Sequence, residues 1–275
     1  MKHTLILFAL SIISLAAVAQ TEEGVTTVPS IPSDSAHAVV RPTTPVVTKA
    51  EADSAYAAER YDEAIALYRQ LTDSLGESAQ IYYNLGNCYY RQDSIARAVL
   101  YYERSLLLDP SNDDTRFNLD IARSKTVDRV VPASEMFFLQ IFHSLILSQS
   151  ISRWAIMAIA AFVLALICLA LYFFMPGITA KKLSFTAAVL LFLVCVFANI
   201  AAFEQRSHIQ NRTEAIIMAP SAVVKSTPSV SGTDLFILHE GTHVHISDNS
   251  MRDYVEVQLT DGKQGWIPRD LIEII

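Results

Sequence analysis

Two long stretches of this chain lack any Asp, Glu, Lys, Arg or His: Trp154 to Phe174 (WAIMAIAAFVLALICLALYFF) and Leu183 to Phe203 (LSFTAAVLLFLVCVFANIAAF). Each is 21 residues, long enough as a helix to cross a hydrocarbon core about 30 Å thick. The lack of an ionisable group inside them argues against an ion or proton route; Asn199, the one strongly polar side chain, is expected to bond across the helix pair. Cysteine is also scarce. Of Cys88, Cys168 and Cys195, the last two lie at depths about 8 Å apart along their helices, too far for a disulfide, so all three read as small packing residues. Basic residues are outnumbered, 21 Lys and Arg against 28 Asp and Glu for a net charge of -7, which argues against nucleic acid. No Walker loop, G-x-S-x-G elbow or Cys-x-x-Cys occurs, so nucleotide, serine-hydrolase and dithiol chemistry have no residues to rest on.

What is present begins with the link between the apolar runs, MPGITAKK. A connection that short cannot recross a membrane, so the runs form an antiparallel hairpin. Lys181 and Lys182 place its turn in the cytoplasm and both flanking regions outside. The N-terminal MKHTLILFALSIISLAAVAQ reads as a secretory signal over residues 1–19, cleaved before Gln20. Residues 20–47, rich in Pro, Thr, Ser and Val, read as a tether. Its Arg41 to Pro45 stretch has P-x-x-P spacing suited to an aromatic groove. The chain is thus read as an inner-membrane protein with its soluble parts in the periplasm.

Between residues 48 and 129 the period becomes helical and repeats. Tyr82, Leu85, Gly86, Tyr89, Ala98, Tyr102 and Pro110 fall on the positions of the tetratricopeptide pattern, with Tyr standing for Trp and Phe. A shift of 34 residues puts Ala52 under Gly86, Ala64 under Ala98 and Tyr68 under Tyr102. The spacing predicts paired helices in which Gly86 and the alanines allow close approach and the tyrosines fill the gap, with a solitary helix from Asp113 covering the open end. Such arrays bind extended partner segments on a concave face. Here that face is expected to carry Tyr83, Asn87, Tyr90 and Arg91, then Phe117 and Ile121, with Asn84 and Asn118 at its edge. No dense basic set supports a clamp for a terminal carboxylate.

Residues 133–150 are apolar but too few to span, and read as an interfacial helix against the outer leaflet. Trp154 then marks the interface. Beyond residue 213 short runs alternate with period two, rich in Val and Ile, with Asp261-Gly262 as a hairpin turn. Five or so strands predict a small barrel. The order V-K-S-x-P-S, L-H-E-G-T-x-V and D-G-x-x-G-W-I-P resembles a bacterial SH3 domain over 213–275, which implies an aromatic groove drawing on Tyr254 and Trp266. Residues 239–243 also spell H-E-G-T-H, the letters of a zinc-protease motif. That chemistry needs a helix to align both histidines, whereas Gly241 interrupts the motif and a strand would hold His239 and His243 about 13 Å apart. No metal or other cofactor is assigned.

Signal, tether, repeats, apolar hairpin and SH3-type domain together resemble the BatE-type components of the Bat aerotolerance operons. The resemblance implies a non-enzymatic multidomain membrane protein, an α-helical array with an all-β barrel, that scaffolds an envelope complex with von Willebrand A-domain proteins under oxidative stress. A cell-wall binder or envelope-stress sensor acting through the SH3-type domain is the alternative. Zinc hydrolysis through His239, Glu240 and His243 is a third.

Overall fold

The computed structural model describes residues 47–128, 145–146 and 148–275. The signal segment 1–19, nearly all of the tether 20–47 and most of the interfacial segment 133–150 lie outside them.

The first part is helical: α1 (Lys49–Ala57), α2 (Tyr61–Leu75), α3 (Ala79–Arg91), α4 (Ile95–Leu108) and α5 (Asp113–Ser124). Local chemistry sets the ends. Thr48 and Glu51 form a reciprocal capping box at the start of α1, and Asn112 accepts the Thr115 amide at 2.9 Å ahead of α5. Each helical hairpin turns through one left-handed residue, Glu59 at φ 60° and Asp93 at φ 57°, themselves 34 positions apart. The expected close packing is present. A Cβ on Gly86 would lie 2.5 Å from Cδ1 of Tyr102, and Ala52, Ala64, Ala98, Tyr68 and Tyr102 are buried. Thus the small residues and the tyrosines form one core.

The apolar runs form α6 (Ile151–Phe174) and α7 (Ile178–Asn211), both long and apolar enough to cross a membrane. Only 17% and 22% of their most apolar windows are buried in the fold, the reverse of a soluble core helix. The contact between them is lined by small side chains, including Ala158, Ala161, Cys195, Ala198 and Ala201, which lets the backbones approach. Two details differ from the sequence reading. The turn is Met175–Gly177, not eight residues, and Lys181 and Lys182 are the fourth and fifth residues of α7. Asn199 bonds within its own helix, to the Cys195 carbonyl at 2.8 Å, rather than to α6. Trp154 is buried, donates to the Ile146 carbonyl at 3.0 Å and meets Phe197 edge-on.

Helix α7 runs eight residues past Phe203. Hydropathy changes there, but EQRSHIQN contains neither Gly nor Pro, so nothing ends the helix until Arg212 turns left-handed at φ 39°. Seven strands follow: β1 (Glu214–Ile217), β2 (Ser221–Lys225), β3 (Asp234–His239), β4 (His243–Asp248), β5 (Tyr254–Gln258), β6 (Gln264–Pro268) and β7 (Ile272–Ile274), in antiparallel order β3-β2-β6-β5-β4-β1-β7. The expected closed barrel does not form among the described residues, because β3 and β7 end as separate edges. The β7 side is taken by α4, where Arg104 donates to the Ile274 carbonyl at 2.5 Å and pairs with Glu273 at 3.1 Å.

Nor are the helical array and the sheet independent modules. Strand β1 alternates, sending Ala215 and Ile217 into the sheet core and Ile216 into the helical core.

Candidate functional site

Helices α1, α3 and α5 carry residues whose spacing by 34 becomes a spatial repeat. In the first unit the Tyr68 hydroxyl donates to Asp53 Oδ1 at 2.5 Å, and Asn84 Nδ2 donates to the Tyr68 oxygen at 3.0 Å. In the second the Tyr102 hydroxyl donates to Asn87 Oδ1 at 2.8 Å, and Asn118 Nδ2 to the same oxygen at 3.0 Å. Asp53, Tyr68 and Asn84 each move by 34 positions onto Asn87, Tyr102 and Asn118. Burial pushes both tyrosine pKa values well above the ordinary phenol value, and at Tyr68 the neighbouring Asp53 adds to it. Both hydroxyls therefore remain donors.

Beside the second triad lies an open cleft of about 210 Å³ lined by Tyr56, Asn87, Tyr90, Arg91, Tyr102, Asn118 and Ile121. It gathers five of the eight residues expected on the concave face. The other three stand apart from it. Tyr83 accepts from Asn118 Nδ2 at 3.3 Å; Asn84 is engaged in the first triad, so its amide is not free for a partner backbone; Phe117 is 66% exposed on α5. Two cations flank the cleft. Interaction with Tyr56 raises the pKa of Arg91, and the Lys125 ammonium sits 4.3 Å from the Tyr90 ring centre and 3.6 Å from Asp93. Among the described residues no carboxylate lines the cleft. The surface thus offers aromatic faces, one amide dipole network and positive charge, which suits an extended peptide segment with aromatic or acidic side chains.

Sequence reasoning missed Tyr56, Tyr102 and Lys125 here. Tyr56 is findable, since 34 added to 56 gives Tyr90; the pattern marks Tyr102 only as a gap filler, and nothing in it brings Lys125 back over Tyr90.

In the sheet, Tyr254 and Trp266 share the outward face, both half-buried and outside the core. Tyr254 stands opposite Pro268, and Trp266 opposite Glu256 and Lys225.

The H-E-G-T-H residues take a different part. Gly241, at φ +83°, turns the chain between β3 and β4, so no helix aligns the two histidines. Instead Asp128, at the end of the helical array, accepts the His239 amide at 2.7 Å and the Thr242 hydroxyl at 2.7 Å, with His239 Nδ1 2.8 Å from its other oxygen. Burial pushes the Asp128 pKa up, but these bonds outweigh it and hold the carboxyl below its ordinary value. His243 and His245 both face Glu214, at 3.3 and 3.0 Å. Among the described residues no group of three or more His, Cys, Asp and Glu could hold a metal ion.

Cys88 is fully buried and burial pushes its thiol up to about 12; among the described residues all three cysteines are free.

Compared with known protein families, residues 49–114 match the tetratricopeptide repeat. That match spans α1 to α4 and ends in the first turn of α5, and no curated protein matches the chain.

Proposed function

We propose that this protein is a non-enzymatic scaffold anchored in the bacterial inner membrane by the α6–α7 hairpin, capturing envelope proteins on the periplasmic side. The observation that carries the reading is the cleft at the second triad, built by residues of four helices around a tetratricopeptide match. Helix pairs of this type act by presenting a rigid concave surface to a partner segment. The two apolar helices supply the anchor, and the lysines at the start of α7 supply the orientation. The β-rich part is read as an SH3-type domain. The domain order supports a place beside von Willebrand A-domain Bat proteins.

The test is crosslinking capture from native membranes with the full-length protein and with Tyr90→Ala/Arg91→Glu. Loss of a defined set of envelope proteins from the variant, with an unchanged melting transition, is the expected result. Capture of the same set by the variant would sink the assignment of the cleft.

A second reading, cell-wall binding, is favoured by the outward, half-exposed Tyr254 and Trp266. Its check is retention on purified peptidoglycan. Equal retention of wild type and Trp266→Ala would end it.

A further inference from the structure

A second cleft, of about 350 Å³, shares no lining residue with the first. It lies where α4, the polar end of α7 and the sheet meet. Two features set its height against a bilayer. On one rim, Ser111 follows Pro110 of the wall and accepts from Arg153 Nη1 at 3.2 Å, one residue ahead of the apolar run of α6. On the other side the wall is α7, where His208 follows Phe203, the end of the second apolar run, by five positions and Arg212 caps the helix. At 1.5 Å per residue His208 stands about 8 Å past that run. A headgroup layer is roughly 5–8 Å deep on each side of the hydrocarbon. Helical side chains lean toward the N-terminus, so those at this end of α7 lean back toward the bilayer.

The wall is amphiphilic. Leu106 and Leu107 are half-buried in it, whereas Gln205 is 2% exposed with its amide atoms inaccessible, and offers the cleft no polar group. Charged side chains of both signs keep unused capacity. Arg212 donates through Nη2 to Glu77, and among the described residues its Nε and Nη1, like the His208 ring, have no partner. Glu214 meets only the imidazoles of His243 and His245, at 3.3 and 3.0 Å, and no Lys or Arg among the described residues. No permanent positive charge answers it. The remaining charges are paired, Glu103 with Arg123 and Arg116 with Asp113. An anion alone would bring its charge against Glu214, and a cation alone would leave Arg212 and His208 unused. A phosphate joined to a primary ammonium meets both, because guanidinium donors suit phosphate oxygens and the ammonium brings three N–H groups to the carboxylate.

We propose that this cleft binds the headgroup of a zwitterionic phospholipid with a primary amine, of the phosphatidylethanolamine class. Its phosphate lies on Arg212 and His208, its ammonium on Glu214, and its glycerol end against Leu106 and Leu107. The site rests on the reading of α6 and α7 as a membrane anchor and is independent of the concave cleft.

The test is native mass spectrometry of the full-length protein in detergent with equal amounts of phosphatidylethanolamine, phosphatidylcholine and phosphatidylglycerol of the same acyl chains. Wild type holds one phosphatidylethanolamine about tenfold more tightly than phosphatidylcholine, whose quaternary amine has no N–H to donate. Glu214→Gln, which keeps the side chain's shape, erases that preference. Glu214→Lys reverses the order in favour of phosphatidylglycerol, a gain that misfolding does not produce. Absence of a headgroup preference in wild type overturns the proposal, as does an unchanged preference in Glu214→Gln. Displacement of the lipid by an equimolar amount of glycerophosphoethanolamine, which has no acyl chains, overturns the bilayer as its source. Alkaline carbonate extraction of native membranes separates the two readings: release of the protein overturns anchor and site together, whereas a protein that stays in the membrane and shows no preference overturns the site alone.

Discussion

The two repeats of the helical array use one hydrogen-bonded triad with different chemistry at one corner. In the first, Asp53 is a carboxylate that also takes the Lys49 ammonium at 2.7 Å. In the second, the equivalent Asn87 is neutral, and the neighbouring Tyr56, Tyr90 and Arg91 line an open cleft. The same fold position pairs with a lysine of its own chain in one repeat and borders an open cleft in the next. A repeat can thus keep its backbone while one corner changes from a charged to a neutral group.

The largest effect is expected at the helix contact. Gly86→Ala drives a Cβ into the buried Tyr102 ring and should cost about 2 kcal/mol, overpacking outweighing the gain in helix propensity. Ala52→Gly, the reverse change at the equivalent site, should cost about 1 kcal/mol. Urea denaturation of both variants measures the pair, and effects of equal size and opposite sign would mean the two contacts are packed alike.

Next come the hydroxyls. Tyr68→Phe removes a bond to a charged acceptor and Tyr102→Phe a bond to a neutral one, so the first should cost about 1.5–2 kcal/mol and the second about 1. The difference is pH-dependent. Burial raises the Asp53 pKa, but the Lys49 and Tyr68 bonds outweigh it and leave the value lowered. A lowered carboxyl contributes stability that is complete above its unfolded value, about 3.9, and is lost as pH falls through the folded value. The two Tyr→Phe costs should therefore converge in acid, as thermal melts of both variants from neutral pH to below pH 4 would record. Asp53→Asn, which turns the first triad into the second, should remove that convergence; an acid-dependent gap that persists when Tyr68→Phe is combined with Asp53→Asn would place its origin elsewhere.

The smallest effect belongs to the left-handed turns. Glu59→Gly should gain about 0.5–1 kcal/mol and Asp93→Gly less, since Asp tolerates this conformation and here also pairs with Lys125. Differential scanning calorimetry resolves the order of the two melting temperatures.

Periodicity made the array legible. Tyr68, Tyr102, Gly86 and Ala98 could be placed because helix packing repeats every 34 residues and leaves size and apolarity in the letters. The triads were half legible. Asn84 and Asn118 could be recognised as equivalents, but a pattern of positions does not say which polar atoms meet: Asn84 donates to the Tyr68 hydroxyl, and Asn118 to Asn87 Oδ1. The open sheet was not legible either, because strand alternation records which face is buried and not whether the last edge finds the first.

The amino-acid sequence by itself determined the elements: uncharged runs long enough to span a bilayer, a 34-residue helical period and a β-rich end, each set by local composition and spacing. Only the tertiary structure decided what H-E-G-T-H does, how far α7 runs and where Gln205 lies. Those outcomes join residues far apart in the chain, such as Asp128 with His239 at 2.8 Å, and depend on distances and burial that no local pattern encodes.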